Sequence, residues 1–250
     1  ENLKFVILAA GEGKRLKPLT NDRPKAMVEV LGKPLVQWQI EALDSVGVPR
    51  DNVVVIGGFG YDKLKEFLTG KVQVLYNPYW SVANNVLTVY YALEQLDDDI
   101  AIINSDVIAE EAIYALLHVD NEPYAVLDGG VNAAEEEMKV KLENGKIVLF
   151  SKLIDPSESS GEYIGLSYVP RRLRGKMLSI IEGMWNRGEL DKWYEDAFNI
   201  LCQTVPMTPI FCTGMLWTEI DTHEDLERAK QIAAQLQEKK EKEKVEGDVQ

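Results

Sequence analysis

Gly11, Gly13, Arg15 and Lys25 follow directly on an apolar run, Leu3 to Ala10. A run of this kind entering small residues predicts a buried strand that opens into a tight loop, where backbone N–H groups can approach a phosphate with no Cβ in the way. Leu8, Ala9, Ala10, Glu12 and Lys14 belong to the same segment, and Arg15 and Lys25 add positive charge for an anionic ligand. Two other phosphate loops are excluded by spacing. A Walker loop needs GxxxxGK[ST], and a dinucleotide fingerprint needs a third glycine where this chain has Leu16. Pro18 and Pro24 also interrupt the helix that both would require. A second stretch with chemical potential is Trp193-Tyr194-Glu195-Asp196. Two aromatics beside two carboxylates either open an amphipathic helix, with the acids at its favourable end, or line a pocket for a cation.

The string Leu8-Ala9-Ala10-Gly11-Glu12-Gly13-Lys14-Arg15-Leu16, then Pro18 and Arg23-Pro24-Lys25-Ala26-Met27, resembles the signature of the sugar-1-phosphate nucleotidyltransferase superfamily. Within it the chain is most similar to the phosphocholine cytidylyltransferase type, from about Phe5 to about Lys230. The resemblance implies an α/β, Rossmann-like doubly wound mixed sheet of the nucleotide-diphospho-sugar transferase type, with a small β-hairpin lobe. It implies transfer of CMP from CTP to a small phosphorylated acceptor, phosphocholine or similar, with release of pyrophosphate. Residue by residue, Asp106 and Asp221 match the family's metal carboxylates and are expected to converge on one Mg²⁺. Lys152 matches a lysine that meets the acceptor's phosphate, and Asn85 and Thr88 are assigned base or ribose contacts. Asn84 and Asn85 are equally suited to cap the helix they open. Ser105 stands beside the nucleotide where the family often has glycine. Tyr163 and Trp217 are expected to join Trp193, Tyr194, Glu195 and Asp196 around a positively charged acceptor.

This chemistry needs charge rather than an activated nucleophile. A phosphomonoester with a second pKa of about 6 is already largely dianionic at neutral pH, so no general base is required. The candidate site accordingly lacks a His or Ser-His pair. Arg15, Lys25, the loop amides and Mg²⁺ would position two anions and neutralise the pentacoordinate phosphorus.

The elements that must position these residues follow in order. Pro34 is placed to begin a helix with Leu35, Trp38, Ile40 or Gln39, Ala42 and Val46 on its apolar face. Strands are predicted at Asn52 to Ile56, Val72 to Tyr76 and Ile100 to Ile103, the first closing at Gly57. In such a parallel sheet ligands bind beyond the carboxyl ends of the strands, where Gly11 and Gly57 would lie together. Asn144-Gly145 between Met138 to Leu142 and Ile147 to Phe150 is a strong hairpin signal. A strand at Gly161 to Leu166, a helix through Leu178 and Ile181, and a short strand at Leu216 to Asp221 complete the fold. Thr222 then caps a helix with Asp225 three residues on, and Glu238 to Lys244 should run into solvent and fray. One domain over residues 1–237 with a charged tail is expected.

With 250 residues and 46% hydrophobic content, the chain can bury a substantial core. A formal charge of −14 argues against nucleic acid and anionic membrane as partners. Two cysteines, Cys202 and Cys212, make no disulfide framework. No apolar run reaches bilayer length and no cationic leader precedes a signal-like segment, so a soluble, cytoplasmic protein is expected. Homo-oligomerisation is left open. Three rivals stand beside the main reading: a sugar 1-phosphate or inositol 1-phosphate acceptor with another NTP, a non-catalytic nucleotide-binding regulatory subunit, and a dehydrogenase. Arg15, Lys25, Asp106 and Asp221 together weigh against the second, and the missing third glycine against the last.

Overall fold

The computed structural model describes residues 3–130 and 135–249. Its strands are β1 (Leu3–Ala9), β2 (Glu29–Val30), β3 (Lys33–Pro34), β4 (Val53–Gly57), β5 (Gln73–Tyr76), β6 (Asp99–Asn104), β7 (Val107–Ala109), β8 (Tyr124–Asp128), β9 (Lys139–Glu143), β10 (Lys146–Ser151), β11 (Gly161–Val169), β12 (Thr208–Phe211) and β13 (Trp217–Glu219). Its helices are α1 (Leu35–Ser45), α2 (Tyr61–Leu68), α3 (Asn85–Gln95), α4 (Glu111–Tyr114), α5 (Arg174–Asn186), α6 (Tyr194–Leu201) and α7 (His223–Gly247).

Apolar runs in β1, β4 and β6 have no alternation because helices cover both faces of the sheet. β1 pairs in parallel with β4 and β6, and β4 with β5, while β11 joins β6, β8 and β9 antiparallel. The result is the mixed, doubly wound sheet expected from the sequence, in the order β10-β9-β11-β6-β1-β4-β5, with β8 and β12 branching from β11. Asn144 and Gly145, at φ 50° and 75°, make the turn between β9 and β10, and this hairpin forms one edge of the sheet. Parallel register places Ala9 beside Gly57 and Leu8 beside Asn104, so three strands deliver Gly11, Gly57 and Asp106 to the same end. A separate antiparallel ribbon of β7 and β13, with Val107 opposite Glu219, carries the chain of Asp221 to that end as well.

The structure departs from the sequence reading at several places. Pro34 ends β3 and precedes α1 instead of opening it. β12 contains Pro209, which argues against a strand, but β12 pairs only with β8 and an edge strand tolerates proline. The segment expected to fray continues α7 to Gly247. Its residues are strong helix formers with Glu238 four positions before Lys242, and Lys239 Nζ reaches Glu110 at 3.3 Å. Among the described residues no helix is long and apolar enough to cross a membrane, and both cysteines are free.

Candidate active site

The glycine loop is built around Lys25. Gly13 has φ 64°, and a Cβ there would stand 2.9 Å from Cβ of Lys25, so the close approach and the left-handed backbone both require glycine. Thr20 donates its hydroxyl to the Gly13 carbonyl at 2.7 Å, and the Lys25 N–H donates to the Gly11 carbonyl at 3.4 Å. In front of Gly11 the space is open, with no heavy atom within 4 Å of where a Cβ would sit. Leu8 and Ala9 are buried and can offer only backbone, Glu12 pairs loosely with Lys14 at 3.8 Å, and Gly57 closes β4 alongside Ala9.

Lys25 Nζ lies 3.2 Å from Asp106 Oδ2 and 3.2 Å from Asp221 Oδ1. The two carboxylates cannot therefore be further apart than twice that distance. The β7–β13 ribbon brings them together, helped by the Ile220 N–H, which donates to the Asp106 carbonyl at 2.8 Å. Arg15 pairs with the other oxygen of Asp221. Burial pulls the Lys25 pKa down, but the charges of Asp106 and Asp221 outweigh it and hold the ammonium above its ordinary value. Glu219, two residues before Asp221, is pushed the other way: chiefly the charge of Asp106 raises its carboxyl, although the side chain is exposed to solvent.

This pair suits a hard divalent cation. Asp106 Oδ1 is buried with no hydrogen-bond partner, a costly state that a cation would relieve. Among the described residues no group of three or more His, Cys, Asp or Glu side chains could hold a metal alone. Two carboxylates are nevertheless enough for Mg²⁺, which typically completes its octahedron with phosphate oxygens and water.

The expected nucleotide contacts divide. Asn84 caps α3 and Asn85 Oδ1 accepts the Tyr194 N–H at 3.0 Å. Thr88 is corrected: it is 3% exposed and its hydroxyl accepts from Asn77 Nδ2 at 3.0 Å, beneath the loop rather than facing a ligand. Ser105 is buried beside Asp106 in the turn between β6 and β7.

On the acceptor side, Lys152 Nζ sits 4.6 Å from the ring centroid of Trp193, which is 37% exposed. Tyr163 and Tyr194 are corrected, because both are buried and their hydroxyls meet at 2.7 Å in the core between α6 and β11. Trp217 is only part-exposed, and its indole N–H donates to Asp128 Oδ2 at 2.7 Å. Asp196 is engaged in capping α6, accepting the Trp193 N–H at 3.0 Å. Glu195 differs from all of these. It is buried, its Oε2 has no partner, and burial above all, with Asp196 and Asp106 nearby, pushes its carboxyl up to about 7 against the opposing charge of Lys152. Of the six residues expected around a cation, Tyr163, Tyr194 and Glu195 are buried, Trp217 and Asp196 are hydrogen-bonded within the protein, and Trp193 keeps an exposed ring beside Lys152.

Two residues near the site carried little sequence signal. Gln39, weighed only as an alternative to Ile40 for the apolar face of α1, is fully buried and donates to the carbonyls of Asn104 and Val107. Asn77, buried after β5, ties Thr88 to the Tyr79 N–H.

A family profile described as the MobA-like NTP transferase domain matches residues 5–238. CTP:phosphoglutamine cytidylyltransferase of Campylobacter jejuni is 27% identical, over 90% of this chain and 98% of that protein. A bifunctional IPC transferase and DIPP synthase of Aquifex aeolicus is 30% identical over 90% of this chain, which spans 50% of that protein's length. The solved structure of CTP:phosphocholine cytidylyltransferase from Streptococcus pneumoniae superposes with a TM-score of 0.74 at 23% identity, covering 93% of this chain and 100% of that one. A profile that runs from β1 into α7, and so takes in the glycine loop and both carboxylate-bearing turns, places this chain in the MobA-like NTP transferase domain family of nucleotidyltransferases.

Proposed function

We propose that this protein transfers CMP from CTP to a small phosphomonoester bearing an ammonium group, phosphocholine or a relative, with Mg²⁺ as its metal. One observation carries the reaction type: Lys25 joins Asp106 and Asp221 at the open mouth of the glycine loop. CTP as the nucleotide is supported by the cytidylyltransferase names of two of the proteins described above. An ammonium on the acceptor is supported by Trp193, whose exposed face already carries the Lys152 ammonium, and by Glu195, whose Oε2 is buried without a hydrogen-bond partner.

The acceptor's phosphate oxygen attacks the α-phosphorus in line and pyrophosphate leaves. Loop amides from Gly11 to Gly13 receive the triphosphate, and Arg15 and Lys25 offer charge to the oxygens of the transition state. Asp106 and Asp221 would hold Mg²⁺, which supplies neutralisation of the triphosphate when bound. Lys152 can leave the Trp193 face for the acceptor's phosphate, freeing the ring for a quaternary ammonium. Such a group donates no N–H bond and must be read by ring faces and carboxylates, each ring contributing about 0.5–2 kcal/mol. A matrix of four NTPs against phosphocholine, glucose 1-phosphate and inositol 1-phosphate, read by pyrophosphate release, tests the reading. Turnover is expected with CTP and phosphocholine; exclusive formation of a sugar nucleotide would overturn it.

Glu195 adds a pH dependence. With its carboxyl near 7, the fraction able to attract an ammonium grows as pH rises through neutrality, faced by Asp196, Asp106 and Lys152. The acceptor KM should fall between about pH 6 and pH 8, and Glu195→Gln should flatten that profile at a KM about tenfold higher. Because the folded state holds this proton more tightly than the unfolded chain, Glu195 costs stability as pH rises from its ordinary value of 4.5 toward 7. Glu195→Gln should accordingly melt higher than wild type at pH 8. A variant with an unchanged pH profile of acceptor KM would remove Glu195 from the acceptor site.

A further inference from the structure

Asp106 sits in a two-residue connection between β6 and β7, and neither end of that connection is held by the sheet alone. From one face of the sheet Gln39, on α1, donates one amide hydrogen to the Asn104 carbonyl at 2.7 Å and the other to the Val107 carbonyl at 3.0 Å. The amide therefore ties together the residues on either side of Ser105-Asp106. From the opposite face Tyr194, the first residue of α6, donates its hydroxyl to Asn104 Oδ1 at 2.7 Å. That hydroxyl oxygen in turn accepts from the Tyr163 hydroxyl at 2.7 Å, and the Tyr163 oxygen lies 2.9 Å from Ser167 Oγ. Gly165, at φ 91°, packs so closely that a Cβ would stand 2.7 Å from Asn104 Nδ2, so only glycine there leaves room for the Asn104 side chain. Neither Gln39 nor Tyr194 has exposed surface.

We propose that Gln39 and Tyr194 are positioning residues for Asp106: two buried side chains from opposite faces of the sheet clamp the Asn104–Val107 turn and aim its carboxylate at the cation. The inference rests on the metal role given to Asp106 above. Groups that orient a metal ligand typically change metal affinity or activity by about 10–100-fold when removed. A purely structural role would lower stability without singling out the metal.

Tyr168 supplies a matched control at the other end of the same strand. It is fully buried, and its one hydroxyl hydrogen is shared between two acceptors, Asp99 Oδ1 and the Asp120 carbonyl, each at 3.0 Å. Tyr194→Phe and Tyr168→Phe thus each remove one buried hydroxyl donor, at opposite ends of β6. Mn²⁺ is titrated into wild type, Gln39→Met, Tyr194→Phe and Tyr168→Phe in the presence of CTP, free Mn²⁺ being read by electron paramagnetic resonance, with melting temperatures measured alongside. The Mn²⁺ dissociation constant is expected to rise at least about tenfold in Gln39→Met and Tyr194→Phe and to stay within about twofold in Tyr168→Phe. Wild-type affinity in the first two, or equal weakening in Tyr168→Phe, would overturn the inference. Should Gln39→Met fail to fold, Tyr194→Phe, which loses one oxygen and no volume, decides alone. A wild-type protein that takes up no Mn²⁺ with CTP would overturn the metal reading of Asp106, and this inference with it.

Discussion

Lys25→Ala is expected to lower turnover at saturating substrates by about two to three orders of magnitude while leaving a folded protein. Removing one preorganised charge from a developing phosphorane typically costs about 3–4 kcal/mol, and each 1.36 kcal/mol is tenfold in rate. The Lys25 side chain is 12% exposed and fixed at both ends, by the glycine loop at its backbone and by two carboxylates at its tip. Its place is set by the protein itself, which is the condition for a large effect. The competing reading is that Lys25 merely neutralises Asp106 and Asp221. A cation would then substitute for it, and raising Mg²⁺ would restore turnover to Lys25→Ala. Turnover that stays low at saturating Mg²⁺ supports the catalytic role; recovery, or near wild-type turnover from the start, ends it. Arg15→Ala should act in the same direction, since Arg15 is 66% exposed and can move from Asp221 to a phosphate oxygen.

How far the sequence disclosed this site depends on what holds each residue. The glycine loop was legible because Gly13 and the prolines report backbone constraints that few other residues satisfy. The sheet was legible in the unbroken apolar runs of β1, β4 and β6, and the hairpin in Asn144-Gly145. Nothing local in the sequence discloses the β7–β13 ribbon, which is short, long-range in sequence and decisive for bringing Asp221 to Asp106. Without the family resemblance, Asp106 and Asp221 read as ordinary turn residues. The aromatic residues misled for a related reason. Tyr163 and Tyr194 have ring and hydroxyl together, so the same side chain serves a cation pocket or a buried hydrogen-bonded core, and only tertiary packing against β11 and α6 chooses the core. Gln39 was obscured because a glutamine on an apolar helix face is unexceptional until the carbonyls it satisfies are visible.

Asp106→Asn should be the most damaging single change in the chain, lowering turnover by more than about a thousandfold, with Asp221→Asn roughly tenfold milder. The two carboxylates differ in how replaceable they are. Asp221 is 37% exposed and shared between Arg15 and Lys25, so a nearby phosphate oxygen or water can take over part of its work. Asp106 is 20% exposed on its side chain and presents a buried, unpartnered oxygen that water cannot reach. Its charge raises the carboxyl of the exposed Glu219, while its pairing with the Lys25 ammonium at 3.2 Å acts in the opposite direction. Asparagine keeps the volume, removes both that repulsion and the charge attraction to Lys25, and leaves Lys25 paired with Asp221. Asp106→Asn is therefore expected to be inactive yet folded, with a melting temperature close to that of wild type at pH 8. Melting temperature and turnover measured on the same preparation decide it. An inactive variant that also melts well below wild type would make Asp106 a structural residue, and the metal reading would have to rest on Asp221 alone.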